Sequence, residues 1–275
     1  MSQPRLCLLS DKFSQLRKCR PRLNDGAQTL TGECLAASRF GFYNPERLKI
    51  DPPMQNSPIA TVIEADNPKS IVLFAAGRGG HPMRHLPFLT ALARRGNRIV
   101  APHFEMLKTA VPGKVELDAR IEIMDAAIQR HALGTLPLMG IGHSIGAVVL
   151  LAMAGGRGET LAGERFAAKQ LVPFRGLALF APPTGFFRRP GAVHDVRIPI
   201  EVWVGAKDTI TPPDQALFLK SALNGQVAVH VHIDDEVGHF TYMNELPPGM
   251  VDTHPDRSTY LMSLSEEVAR FIENP

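Results

Sequence analysis

Gly142-His143-Ser144-Ile145-Gly146 lies between two apolar runs, Leu136 to Ile141 of strand length and Ala147 to Met153 with helical character. The order is strand, sharp turn, helix, with a serine at the apex. A turn that tight puts the serine backbone under strain, and glycines on both sides let strand and helix close around it. The serine hydroxyl is thereby held out for attack. Chance alone would place roughly 0.08 such pentapeptides in a chain of this composition, before any flanking pattern is required. The duller alternative is a glycine-rich turn whose serine only caps the helix.

Outward from this stretch, short apolar or β-branched runs alternate with longer helical patterns from about residue 57 onward. That alternation predicts a mostly parallel sheet covered by helices on both faces, an α/β fold. Strands are expected at Ile59 to Glu64, Ile71 to Ala75, Arg98 to Ala101, Leu136 to Ile141, Leu177 to Phe180, Ile200 to Val204 and Val227 to Ile233. Helices are expected at Leu86 to Arg95, Glu116 to His131, Ala147 to Ala154, Leu161 to Lys169, Pro213 to Leu223 and Ser258 to Glu273. Residues 25 to 56 should add the first antiparallel strand or strands, around Ser38 to Phe42.

The whole chain narrows the function classes. With 275 residues, 44% of them hydrophobic, it can bury a large core, and one domain over 26–275 is expected behind a flexible basic leader at 1–25. Thirty basic against 27 acidic residues leave a net charge of +3, which gives no broad electrostatic footprint for nucleic acid. Cys7, Cys19 and Cys34 show neither a disulfide framework nor zinc-like spacing, which fits a reducing compartment such as the cytoplasm. The run Leu6 to Leu9 is too short for a secretory segment, and no stretch is long and apolar enough for a membrane span.

A serine is a weak nucleophile at neutral pH unless a base and an orienting acid accompany it. Both residue types occur where the pattern needs them. Gly205-Ala206-Lys207-Asp208-Thr209-Ile210-Thr211-Pro212-Pro213 follows one expected strand and places Asp208 on its exit loop. Asp234-Asp235-Glu236-Val237-Gly238-His239-Phe240 follows the next and does the same for His239. Asp208 could instead cap the following helix, and His239 could be an ordinary loop histidine. Asp234, Asp235 and Glu236 are rival partners for His239, disfavoured because their short loop leaves little room to fold back. His143, next to the serine on a tight turn, should point away from the hydroxyl and line or brace the elbow. His230 and His232 share one face of an alternating strand and suit packing better than metal binding.

With Ser144, Asp208 and His239 following in that order at the ends of three of the expected strands, the chain resembles an α/β-hydrolase from about residue 57 to its end. GHSIG, GAKDTITPP and GHF are similar to that superfamily's nucleophile, acid and base motifs. More narrowly, Gly-His-Phe before a proline-rich loop resembles predicted dienelactone hydrolases and acetylhydrolase-like relatives. Dienelactone hydrolases proper carry cysteine where this chain has Ser144. The resemblance implies Ser144 as nucleophile, His239 as base and Asp208 as its orienting acid, with Gly142, His143 and Gly146 shaping the elbow. It also implies an oxyanion hole from the backbone N–H of Ile145 and one from the loop Ala76-Gly77-Arg78-Gly79-Gly80-His81, most simply Arg78. Many relatives read His-Gly at the positions of Ala76-Gly77.

The Arg78 side chain could clamp a substrate carboxylate or lie solvated at a loop tip. The glycine loop lacks the Gly-Lys-Ser/Thr ending and the GxGxxG spacing of a nucleotide site. Neither metal nor organic cofactor is implied. Ala181 to Pro199 is too short and too rich in Pro and Gly for a multi-helix cap, so an open site for small acyl groups is expected. Gly77, Phe186, Phe187 and Phe240 are candidate lining residues, with Phe186 and Phe187 equally able to serve as core. The expected reaction is hydrolysis of a small ester or thioester. Lactone, amide or C–C cleavage, acyl transfer, and a non-catalytic binding protein on the same fold stay open as alternatives, as does homo-oligomerisation.

Overall fold

The computed structural model describes residues 47–50, 59–132 and 134–275. The expected leader at 1–25 and the strand around 38–42 lie outside these residues. Among the described residues ten strands and five α-helices follow in chain order. They are β1 (Leu48–Ile50), β2 (Ala60–Ile63), β3 (Ser70–Ala75), α1 (Leu86–Arg94), β4 (Asn97–Pro102), α2 (Lys114–His131), β5 (Leu138–His143) and α3 (Ile145–Met153). After them come β6 (Gly158–Glu159), β7 (Arg165–Phe166), β8 (Phe174–Phe180), β9 (Ile200–Gly205), α4 (Asp214–Ala222), β10 (Val229–Asp234) and α5 (Arg257–Glu273).

Eight strands form one sheet in the order β1-β2-β4-β3-β5-β8-β9-β10. The pairs β1–β2 and β2–β4 are antiparallel, and every pair from β4 to β10 is parallel. The central strands β3 and β5 are buried along their whole length, as near-continuous apolar runs between two helical layers must be. Handedness distributes the helices. The step from β3 through α1 to β4 runs one way along the sheet, and those through α2, α3 and α4 run the other way. Right-handed crossovers therefore place α1 on one face and α2, α3 and α4 on the opposite one. The last helix, α5, returns to pack on α1.

The strand order reverses between β3 and β5, and the carboxyl ends of these neighbours open a crevice of the kind in which doubly wound sheets place ligands. The glycine loop after β3 and Ser144 after β5 border it. No described helix is long and apolar enough to cross a membrane.

One expected element is absent. Residues 161–169 form no helix; β6 and β7 make a small antiparallel hairpin there instead. Gly163 turns in the left-handed region at φ 78°, which ends any helix, and Thr160 N–H and Gly163 N–H close the turn onto Glu164 and Thr160 carbonyls. Leu161 stays exposed while Phe166 is buried edge-on against Phe186 and Phe187, so the apolar residues anchor a loop rather than a helical stripe. Between β8 and β9 only a 3-10 turn, Thr184–Phe187, interrupts the loop, and no helical cap is inserted.

Candidate active site

Ser144 stands at the junction of β5 and α3 with φ 54° and ψ −124°, a conformation that costs a non-glycine residue of order 1–3 kcal/mol. Its neighbours enforce it. Added side chains show why the elbow needs both glycines: a Cβ on Gly142 would lie 2.8 Å from Ala147 N, and one on Gly146 would overlap the Ala75 carbonyl. The Ser144 N–H is satisfied by the Phe180 carbonyl at 2.9 Å, which ties the elbow to β8.

The three residues expected to act together meet. His239 Nε2 lies 3.1 Å from Ser144 Oγ, and His239 Nδ1 lies 2.8 Å from Asp208 Oδ2. All three are buried. With a carboxylate as partner, Nδ1 carries the imidazole proton and Nε2 faces the serine with its lone pair.

Asp208 is more firmly held than its position in a loop foretells. Its Oδ1 accepts the N–H groups of Ile210 and Thr211, both at 2.8 Å, and its Oδ2 accepts the Thr211 hydroxyl at 2.7 Å. Burial pushes the carboxyl up, but the bonds from His239 and Thr211 outweigh it and hold it below the ordinary carboxylate value. Thr211, within the quoted motif yet given no role from sequence, also lies 3.1 Å from His239 Nδ1 and completes the acid's cradle. None of the rivals bonds the His239 ring: Asp234 Oδ1 accepts the Glu236 N–H, Asp235 is exposed, and Glu236 pairs with Lys207.

His143 braces the elbow in a specific way. Its Nε2–H donates to the His239 backbone carbonyl at 3.0 Å, linking the serine turn to the histidine loop. Burial, then the nearby His239 and His85, push its pKa well below the usual value, so the ring is neutral. Phe240 packs edge-on to the His239 ring at 5.2 Å and is half-buried, whereas Phe186 and Phe187 are buried beside Phe166 in the core. His230 and His232 are exposed; His232 bonds Glu201 at 2.9 Å and stacks on Trp203. Among the described residues no cluster of three or more His, Cys, Asp or Glu could hold a metal ion.

The glycine loop differs from expectation at the Arg78 side chain. It neither stands free at a loop tip nor points a free guanidinium at the site: Nε donates to the Leu107 and Thr109 carbonyls at 3.2 and 3.1 Å, and Nη2 to that of Lys108 at 3.3 Å. The Arg78 N–H makes no hydrogen bond to a described residue, and neither does that of Gly77.

No family model and no curated protein sequence matches this chain. Solved structures do match in shape. Esterase 2 of Thermogutta terrifontis aligns at 17% identity and TM-score 0.56 over 82% of this chain and 93% of that one. A predicted CIB-like hydrolase of Thermoplasma acidophilum aligns at 12% identity and TM-score 0.55, over 81% and 98%. The monoacylglycerol lipase of Paleococcus ferrophilus aligns at 14% identity and TM-score 0.50, over 77% and 98%. These likenesses are likenesses of fold, and they agree with the sheet order and the serine turn. The chain has the α/β-hydrolase fold. On an α/β-hydrolase sheet, Ser144, Asp208 and His239 occupy the exits of β5, β9 and β10, at one edge.

Proposed function

We propose that this α/β-hydrolase-fold protein is a serine esterase that cleaves small or short-chain carboxylic esters or thioesters through an acyl-enzyme. The carrying observation is the continuous relay Ser144 Oγ, His239 Nε2, His239 Nδ1, Asp208 Oδ2, with steps of 3.1 and 2.8 Å. His239 takes the Ser144 proton as Oγ attacks the acyl carbon, then delivers it to the leaving alcohol or thiol. Asp208 holds the imidazole tautomer and stabilises its cation. The developing oxyanion is received by the N–H groups of Ile145, at the positive end of α3, and of Arg78. Water then reverses the steps and frees the acid. No metal or organic cofactor enters this chemistry.

Two observations support a small acyl group. Residues 181–199 carry no cap, and the Thermogutta esterase was solved with propionate and with butyrate bound. The cysteine pattern supports a cytoplasmic setting. The test is a fluorophosphonate probe read by intact mass, beside hydrolysis of p-nitrophenyl esters of increasing chain length, acyl-CoAs and lactones. Ser144→Ala should abolish labelling and lower turnover by several powers of ten with the fold intact. An unchanged rate on the best substrate would remove Ser144 from the nucleophile role, and a preference for lactones or long acyl chains would overturn the substrate class.

A further inference from the structure

Arg120 is a charged residue in the wrong place for solvent. It lies on the core-facing side of α2 among Leu117, Ile121 and Met124, with 2% of its surface exposed. Burial, opposed by the charge of Glu116 one turn earlier on α2, lowers its pKa to about 10, which leaves it protonated at neutral pH. No carboxylate among the described residues forms an ion pair with it. A buried guanidinium without a counter-ion is costly unless dipoles replace its water.

The dipoles come from the candidate oxyanion loop. Arg120 Nη1 donates to the carbonyls of Ala76 at 3.3 Å and Gly77 at 2.8 Å. Its Nη2 donates to those of Arg78 and Glu105, both at 3.0 Å. The guanidinium lies over the Phe104 ring at 4.8 Å. Three consecutive carbonyls of the loop after β3 and one of the loop after β4 thus converge on a single rigid fork.

Peptide groups are planar and trans, so C=O and N–H point in opposite directions. Carbonyls drawn toward Arg120 turn the N–H groups of Gly77, Arg78 and Gly79 away from it. Gly77 lies against the nucleophile: a Cβ there would sit 3.1 Å from Ser144 Cβ. We infer that Arg120 is a positioning residue that holds the 76–78 peptides in the orientation that offers the Arg78 N–H to the oxyanion. It touches no substrate and acts through the loop. This role rests on the proposed esterase reading, and it adds a fork that ties consecutive peptides together to the backbone bonds from Gly80 N–H to the Gly77 carbonyl and from Leu107 N–H to the Arg78 carbonyl, both at 3.0 Å.

Arg120→Lys keeps the charge but replaces a planar fork with a compact ammonium that cannot bond four spread carbonyls together. Activity is measured per titrated serine, so that misfolded molecules drop out. The expected result is a kcat lower by about 10- to 100-fold with KM within about threefold, because a misdirected donor weakens the transition state and not the ground state. Affinity for a trifluoromethyl ketone, which forms a hemiketal oxyanion on the serine, should fall in proportion to kcat/KM. A kcat per titrated site within about threefold of the parent, with Ser144→Ala inactive, would overturn the role of Arg120 and leave the esterase reading standing. If Ser144→Ala retained activity, the esterase reading itself would fall, and this role with it. Should Arg120→Lys fail to fold, Arg120→Gln, whose neutral amide has two N–H donors for at most two of the four carbonyls, decides by the same pair of measurements.

Discussion

His85, at the end of the 3-10 turn Pro82–His85, is enclosed between the Phe74 ring at 4.8 Å and the His143 ring at 5.4 Å. Its Nδ1–H donates to the Tyr242 carbonyl at 3.1 Å. Burial lowers its pKa, the Tyr242 carbonyl opposes that, and Arg84 adds to it, bringing the group to about 4. In the unfolded chain the same imidazole titrates near its ordinary value of about 6.5. Below that pH the unfolded state binds a proton that the folded state refuses, so stability falls with falling pH. The contribution is present in full above pH 6.5; about 2 kcal/mol is lost by pH 5 and about 3 kcal/mol by pH 4. His85→Asn isolates it, because the Asn amide can donate to the same carbonyl but does not titrate. Urea unfolding of both proteins at pH 7, 6, 5 and 4.5 should show a stability difference that shrinks toward acid by these amounts, on top of a constant packing offset. A difference that stays constant within about 0.5 kcal/mol from pH 7 to 4.5 would refute the reasoning. It would mean that His85 charges inside the fold as readily as outside.

Asp208→Asn should lower kcat by about 10⁴-fold through the lost tautomer control, whereas Asp235→Asn should leave it within about twofold; equal losses in steady-state assays would move the acid to the histidine loop. Gly146→Ala drives a methyl group into the Ala75 carbonyl and should destabilise the protein by about 3 kcal/mol or more, read as a lowered denaturation midpoint; an unchanged midpoint would show that the elbow can relax. With only a 3-10 turn between β8 and β9, the rate on short-chain triglycerides should saturate smoothly through the solubility limit. A sharp rise once emulsion forms would contradict an uncapped site.

The sequence by itself pointed to the sheet and to the candidate triad, because both are written in local patterns. The central strands read as short continuous apolar runs because both their faces are covered, the helices as longer patterns between them, and the two glycines around Ser144 announce a turn that needs no distant partner to be recognised. Chain order at strand ends was enough to single out Asp208 and His239 as candidates, since parallel strands bring their carboxyl ends to one edge. Residues 161–169 read as a helix because their apolar spacing permits one; Phe166 settles the matter by burial against Phe186 and Phe187, which the local pattern does not contain. Only the tertiary structure decided what holds the site in place. His143 reaches a backbone carbonyl 96 residues away, and Arg120 gathers carbonyls from positions 76, 77, 78 and 105. An arginine on the apolar stripe of α2 was a visible irregularity in the sequence. Its partners were not visible, because every residue carries a carbonyl and only the folded path says which four of them turn inward to meet a charge.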